Sequence, residues 1–239
     1  MKRPTKAAPL LALTFLGIAA YRANAQSTLL NIPSTDVVES RKLYLEMDFL
    51  TNYAWQREGS FQNYIPRAVV GLGRNIEAGV NVSFTHVDGG PAQPIEIQPN
   101  VKWQFYKNEA HGTAAAAGCL LYAPISHRAG TDTFGFCYGN GSKKLSGRFG
   151  PRFTGGGYLL FGAHAENGTR AGGMAGYEQP LTKRVGIIID WFSGANRFGY
   201  VSSAVTIATP GKSALTSGYA IANHGRGNNA LFVYYGKQF

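Results

Sequence analysis

Histidine, serine and acidic residues lie near one another at several places in this chain, and such groups can supply the base, nucleophile and orienting acid of a hydrolase. The histidines concerned are His86, His127, His164 and His224, and Asp88, Ser126 and Glu166 are close to them in sequence. Spacing alone does not assemble a catalytic set from them, and polar loops commonly contain histidine without any catalytic role. We therefore assign no catalytic residue, and we expect neither a metal nor a cofactor.

A second set of reactive side chains interrupts apolar segments of the chain. Burying unpaired carboxylates in a dry core is costly, so these residues must meet water or basic partners. Two interpretations stay open: a hydrated passage with an acidic bias, or charged pairs that satisfy one another inside a barrel. The expected lumen-lining residues are Glu46, Asp48, Glu77, Glu96, Lys102, Arg152, Glu178 and Asp190, with Arg170 as a further candidate.

The elements that carry these residues follow a period of two. Between Ile95 and Phe105, apolar side chains at odd positions alternate with Glu96, Gln98, Lys102 and other polar ones at even positions. Such alternation indicates β-strands with one apolar and one polar face. The segments run to about 9 to 12 residues, which suits a tilted strand that crosses a membrane better than a strand of a soluble sandwich.

The pattern predicts an all-β fold, an antiparallel transmembrane β-barrel of about twelve strands, with ten as the alternative. We expect tight turns at 73–75, 181–183 and 209–212 on the periplasmic side, and the links 51–64, 88–94 and 123–130 outside. The predicted strands are 42–50, 65–73, 75–87, 95–106, 113–123, 131–140, 150–162, 169–179, 184–193, 197–209, 214–223 and 228–239.

The first 25 residues differ from the remainder of the chain. Lys2, Arg3 and Lys6 precede an apolar run over 7–20, and Ala23-Asn24-Ala25 follows with small residues at both positions that a signal peptidase reads. This order predicts a secretory signal peptide over 1–25. We expect a periplasmic N-terminal segment over 26–41 and the barrel over 42–239.

The charge of the chain does not indicate nucleic-acid binding. The formal charge is +10, and removing Lys2, Arg3, Lys6 and Arg22 with the signal leaves 19 basic and 13 acidic residues, a net of +6. These basic residues are scattered along the sequence without a run or a basic helix, so no nucleic-acid partner is expected. Only 15% of the residues are charged, fewer than in typical soluble domains.

Two further features bear on export and assembly. Cys119 and Cys137 flank one predicted link almost symmetrically, and the oxidising envelope permits a disulfide between them, although free thiols are the alternative. Leu231, Val233 and Tyr235 share one face of the last predicted strand, which ends on Phe239. This ending resembles the assembly signal of outer-membrane barrels, with Lys237 as a departure from it, and makes the barrel-assembly machinery an expected partner.

The chain resembles the barrels of the MetA pathway of phenol degradation, a family of outer-membrane transporters. The resemblance rests on the strand, turn and strand over Arg67–Gly79, on Gln98–Trp103 and on Phe232–Gly236. It implies passive passage of small aromatic or hydrophobic solutes, and it brings no catalytic residues with it.

These observations favour a non-enzymatic pore or facilitator in a bacterial outer membrane, in contact with outer-membrane lipid and lipopolysaccharide. Tyr53, Trp55, Phe61 and Tyr64 are candidates for an aromatic entrance, although aromatic residues also form the interfacial belt of membrane proteins. Two alternatives remain. One is a structural barrel plugged by Thr28–Ser40, and the other is an outer-membrane enzyme that uses the histidines at the extracellular rim.

Overall fold

A computed structural model describes residues 27–52, 60–128, 131–162, 168–224 and 229–239. The predicted signal peptide lies outside these residues. Twelve β-strands follow one another along the chain. They are β1 Leu43–Thr51, β2 Phe61–Gly73, β3 Ile76–Val87, β4 Ile95–Asn108, β5 Thr113–Pro124, β6 Phe134–Lys144, β7 Arg152–Gly162, β8 Ala171–Pro180, β9 Val185–Phe192, β10 Tyr200–Thr209, β11 Ser213–Ala222 and β12 Ala230–Gln238.

The strands form one closed antiparallel barrel. Each strand pairs with its neighbours in sequence, and β1 closes the barrel on β12 with Tyr44 opposite Gln238. Closure removes the unpaired strand edges that would otherwise promote aggregation. The all-β fold and the count of twelve, in place of ten, are confirmed. In the described part of the chain, no helix is long and apolar enough to span a bilayer.

The antiparallel order divides the links between two ends of the barrel. We call the end where β1 begins and β12 ends the terminal end, and it carries the links 74–75, 109–112, 145–151, 181–184 and 210–212. The opposite end carries the links 52–60, 88–94, 125–133, 163–170, 193–199 and 223–229.

The predicted strand bounds hold except at a few strand ends. β2 begins at Phe61 instead of 65, because Gln62 and Asn63 pair both with β1 and with β3. Part of the predicted outer link 51–64 is therefore strand. β6 runs from Phe134 to Lys144 instead of over 131–140, since Lys143 and Lys144 continue the ladder with β7.

Side chains alternate between a polar interior and an apolar exterior. On β1, Leu43, Leu45 and Met47 are exposed, whereas Tyr44 and Glu46 are buried. The same alternation exposes Val101, Trp103 and Phe105 on β4. An apolar outward face on a closed barrel is compatible with a membrane barrel, in which lipid covers that face.

Charged side chains are divided unevenly between the two ends. Basic residues that are exposed or half-exposed surround the terminal end. Beyond the mouth of the lumen, only two acidic residues of the described part of the chain, Glu39 and Glu109, lie near them. The described links of the opposite end hold Arg128, Arg170 and Arg197 against Asp88 and Asp132, and Arg197 pairs with Glu96 of the inner face. We call the residues of the first set the basic ring: Arg41, Lys42, Arg74, Lys107, Lys143, Lys144, Arg148, Lys183, Arg184, Lys212 and Lys237.

Cys119 on β5 and Cys137 on β6 form a disulfide. The two residues are direct cross-strand partners with a Cα–Cα distance of 4.1 Å. Their neighbours Leu120 and Phe136 point inward to the core, so the disulfide lies on the outward face of the barrel. It covalently fixes the register of β5 and β6.

Replacing both cysteines, Cys119→Ser with Cys137→Ser, should destabilise the folded barrel by about 3 kcal/mol, because the disulfide restricts the unfolded chain. Reversible urea unfolding in lipid vesicles, followed by tryptophan fluorescence, measures this difference. Reductant should destabilise the wild-type protein by a similar amount and leave the double variant unchanged. Equal stability of oxidised wild type and double variant would show that the disulfide contributes nothing.

Candidate functional site

The N-terminal segment, residues 27–42, enters the barrel and fills the part of the lumen next to the terminal end. It begins with a tight hairpin, in which Thr28 pairs with Pro33 and the amide of Leu29 donates to the carbonyl of Ile32 over 2.8 Å. We call residues 27–38 the plug. The plugged alternative named Thr28–Ser40 as the segment that folds into the barrel, and residues of that segment bond to the inner wall here.

Asp190 on β9 holds the tip of the hairpin. Its Oδ2 atom accepts hydrogen bonds from the backbone amides of Leu30, Asn31 and Ile32 at 3.1, 2.6 and 2.9 Å. The side chain of Asn31 adds a bond of 2.6 Å from its Nδ2 to the hydroxyl of Ser202. Hydrogen bonds to a charged acceptor are stronger than neutral ones, so a single carboxylate fixes the whole turn.

Apolar packing holds the same hairpin from the other side. Leu29, Leu30 and Ile32 are at most 1% exposed and belong to the aromatic core cluster of the lumen. Gly176 on β8 makes room for them, since a Cβ there would lie 2.5 Å from the Leu29 side chain and 2.7 Å from that of Ile32. A side chain at this position would force the ends of Leu29 and Ile32 to move.

A buried ion pair binds both ends of the plug at once. Lys102 Nζ lies 2.9 Å from Glu77 Oε1, and both side chains are almost fully buried. Glu77 also accepts bonds from the hydroxyl of Ser27 and from the amide of Val38, each at 2.6 Å. Lys102 donates to the carbonyl of Ser27 over 3.0 Å. Such a pair is tolerated in a dry interior because its remaining hydrogen-bonding capacity is used.

Arg152 joins the plug to the wall at the mouth of the terminal end. Its guanidinium bonds to Asp36 of the plug and to Glu178 of β8. Burial alone would raise the pKa of Asp36, but the charge and hydrogen bond of Arg152, with Lys102 and Lys107, hold this pKa below its ordinary value. Asp36 therefore stays ionised, and keeps its partner, until the pH falls below the usual range of aspartate.

The chain leaves the lumen over Gly71. Ser40 pairs in parallel with Gly71, whose carbonyl accepts from the amide of Arg41 at 2.9 Å and whose amide donates to the carbonyl of Lys42 at 3.0 Å. A Cβ on Gly71 would collide with the backbone carbonyl of Glu39. Only glycine permits the plug to approach the wall so closely here.

The remaining lumen carboxylates are also paired. Arg67 Nε lies 2.6 Å from Asp48 Oδ2 and 3.7 Å from Glu46 Oε1, and Glu46 accepts a bond of 2.5 Å from the hydroxyl of Tyr44. Arg197 contacts Glu96 with two nitrogens, at 3.0 and 3.2 Å. Its guanidinium also lies over the rings of Tyr122, Phe134 and Phe198, with centroids at 5.1, 5.4 and 5.7 Å.

A cavity of about 260 Å³ lies between the plug and the opposite end. Its floor is formed by plug residues, among them Ser27, Thr28 and Asn31. One part of its wall is aromatic, and the part on β2 to β4 is polar, with amides and a hydroxyl beside the charged side chains of Arg67, Glu77 and Lys102. The aromatic wall includes Tyr122, Phe136, Phe192 and Phe198, and the polar wall includes Asn63, Asn81, Ser83, Gln98 and Asn100.

The structure places most of the expected lumen residues on the inner face. Glu46, Asp48, Glu77, Glu96, Lys102 and Asp190 are buried there, and Arg152 and Glu178 lie at the mouth of the terminal end. Arg170 is different, because it precedes β8 and is exposed in the link 163–170. Alternation along β2 would have identified Arg67, whereas Arg197 lies in a link, where alternation gives no information.

The four aromatic entrance candidates separate. Phe61 lines the cavity. Tyr64 is 39% exposed on the outward face, where its ring packs 5.0 Å from that of Phe49, so it belongs to the apolar exterior and not to an entrance. Tyr53 and Trp55 lie outside the described residues.

The histidines do not form a catalytic set in the described part of the chain. His86 Nε2 lies 3.1 Å from Asp88 Oδ1, and Ser60 bonds to the other oxygen of Asp88 instead of to the imidazole. His127 Nδ1 lies 3.2 Å from the hydroxyl of Ser126. His164 and Glu166 lie outside the described residues, His224 is exposed, and no group of three or more metal-ligating side chains occurs within those ranges.

Removing the carboxylate of Asp190 should release the tip of the plug. In an Asp190→Ala variant, amide hydrogen exchange at Leu30, Asn31 and Ile32 should accelerate at least about tenfold, because each amide loses a bond to a charged acceptor. The amide of Val38, which is bound by Glu77, is the internal control. Ser202→Ala, which removes only the bond from Asn31, should change exchange much less. Unchanged protection in Asp190→Ala would mean that packing alone seats the hairpin.

A scan against protein-family models found no match, and a search of curated proteins likewise found none.

Proposed function

We propose that this chain is a bacterial outer-membrane barrel that takes small solutes into an outward-open cavity and passes them only when its own plug leaves the lumen. The observation that carries the proposal is the position of residues 27–38, which occupy the lumen below the cavity and bond to opposite sides of its wall. A passage along the barrel axis therefore requires the plug to move.

The anchors of the plug are suited to reversible closure. They include hydrogen bonds and ion pairs to Asp190, Glu77 and Arg152, further bonds from side chains of the wall such as Gln104 and Asn140, and three apolar side chains. A segment held in this way can leave as a unit, since polar groups on both sides find water when the lumen hydrates.

An outer-membrane location accords with several independent features. Residues 1–25 have the organisation of a signal peptide, and a disulfide suits an oxidising compartment beyond the inner membrane. The outward face is apolar, and β12 exposes Leu231, Val233 and Tyr235 before the chain reaches Phe239. With an even number of strands, both ends of the barrel sequence lie on one side, which in bacterial barrels is periplasmic.

The walls of the cavity favour small amphipathic solutes. A planar apolar molecule can lie against the aromatic wall, while its polar groups face the amides of Asn63, Asn81 and Gln98 across the cavity. The resemblance to the phenol-degradation transporters, which implies aromatic or hydrophobic solutes, supports the same class of solute.

Deleting residues 27–40 should convert a mostly silent protein into a conducting one. Wild-type protein in planar bilayers should show at most rare openings, whereas the deletion variant should show frequent single-channel steps through the emptied lumen. A gel-shift on heating, typical of folded barrels, verifies that the variant is folded before its conductance is compared.

A tethered variant provides the matched control. Asn31→Cys with Ser202→Cys, in a Cys119→Ser and Cys137→Ser background, should fix the plug tip to β10, because these side chains already meet at 2.6 Å. The oxidised form should stay silent, and reductant should restore wild-type openings. If wild type and oxidised tether are equally silent and equally impermeable to small phenols in vesicle uptake, the barrel is permanently plugged and the proposed transport is wrong.

A further inference from the structure

The basic ring defined above concentrates positive charge at one end of the barrel in a way that the sequence conceals. No two of its members are adjacent in sequence beyond the pairs 41–42, 143–144 and 183–184, yet the topology brings all eleven to the terminal end. Near them, beyond the mouth, lie only Glu39 and Glu109 among the described residues, and Glu109 already pairs with Lys107 at 2.7 Å.

This charge is not a consequence of the charged lumen. The carboxylates of the lumen have their own partners, Arg67, Lys102, Arg152 and Arg197 or backbone amides. At the opposite end, the described links hold three basic and two acidic residues, Arg128, Arg170 and Arg197 with Asp88 and Asp132, and Arg197 is already paired with Glu96 of the lumen. The sequence beyond the described ranges after residue 26 adds two of each sign, Arg57, Glu58, Glu166 and Arg226.

The distribution around the circumference indicates the shape of the partner. Every link at the terminal end, or a strand end beside it, contributes at least one basic residue, and so do the segments before β1 and at the end of β12. A folded acidic protein would contact only one side of the basic ring. Only a partner that encircles the barrel can contact all the residues of the ring.

The ring also lies at a defined height. Lys107 follows the exposed Phe105 and Tyr106 at the end of β4, Arg148 lies 5.2 Å from the ring of Phe149, and Lys237 lies 4.7 Å from the ring of Phe239. Cations directly beyond an outward apolar and aromatic band are at the level of lipid phosphates.

We propose that the basic ring binds anionic phospholipid headgroups of the leaflet at the terminal end, so that the barrel collects a shell of acidic lipid on that side only. The inference rests on the proposed function for the presence of a membrane. Each near-surface cation attracts anionic lipid, and the attraction falls within a Debye length, so the neutral opposite end gains little.

Two tryptophans report on the two leaflets separately. Trp103 is outward on β4, opposite the first residue of β3, and is therefore near the terminal end beside Arg74 and Lys107. Trp191 is outward near the last residue of β9, at the opposite end. Trp55→Phe with Trp191→Phe leaves Trp103 as the only tryptophan, and Trp55→Phe with Trp103→Phe leaves Trp191.

The experiment measures quenching of each tryptophan by brominated lipid. The full barrel is reconstituted in phosphatidylcholine vesicles that contain brominated phosphatidylglycerol or, in a parallel series, brominated phosphatidylcholine. The dependence of quenching on lipid content gives an apparent binding constant for each of the two lipids at each tryptophan. We expect the constant for phosphatidylglycerol to exceed that for phosphatidylcholine about fivefold at Trp103, and the two constants to be nearly equal at Trp191. High salt should bring the ratio at Trp103 towards one.

Charge-neutralising variants assign the effect to residues. Arg74→Gln with Lys107→Gln should remove the preference at Trp103, whereas Arg128→Gln with Arg170→Gln, the same charge change at the opposite end, should leave it intact. The heat-dependent gel shift verifies folding of each variant.

Each outcome decides one question. The lipid proposal is overturned if both tryptophans show the same preference for phosphatidylglycerol, or if the preference at Trp103 survives neutralisation of Arg74 and Lys107. It is also overturned if the basic ring binds a soluble acidic polymer while neither tryptophan shows any preference between the two lipids. If neither tryptophan is quenched by any brominated lipid, the protein is not in the membrane, and the proposed function itself fails.

Discussion

The buried carboxylates of the inner face impose the constraint on which the rest of the structure depends. A closed barrel whose interior carries Glu46, Asp48, Glu77, Glu96 and Asp190 must give each of them a cation, a hydrogen-bond donor or water. One oxygen of Asp190, Oδ2, accepts hydrogen bonds from three amides of the plug, and Glu77 is paired with Lys102 and accepts from Ser27 and Val38. The plug therefore supplies hydrogen-bond donors to carboxylates of the wall. In return, those carboxylates accept hydrogen bonds from backbone amides that the hairpin could not bury without partners.

The contact between the plug and the wall also accounts for two glycines of the wall. Gly176 leaves space for Leu29 and Ile32, and Gly71 lets the backbone of Glu39 approach β2. Both positions face inward on strands whose outward neighbours are apolar, so their role cannot be seen from the outer face of the barrel. The inner face is therefore fitted to the segment that occupies it.

The strands could be predicted well from the sequence because their signal is local. Period-two alternation is visible within each segment, and it alone indicates twelve strands and the inner positions of Glu77, Lys102 and Asp190. The plug has no such period. Its partners lie far along the chain, about 160 residues away for Leu30 and Asp190, so no local pattern identifies them. Arg197 was missed for the same reason, since it reaches Glu96 from a link.

The uneven charge of the two ends is a further property that emerges only from topology. The lysines and arginines are scattered in sequence, without a run or a basic helix, but an antiparallel barrel sends every second link to the same end. Because the lumen satisfies its own carboxylates, the excess positive charge of the chain is left at one rim. We therefore infer separate roles for the polar interior and the charged rim: pairing in the lumen would hold the plug, whereas the basic ring would act on what surrounds the barrel. On this inference, a change in lipid composition alters the surroundings of the barrel without touching the contacts that hold the plug.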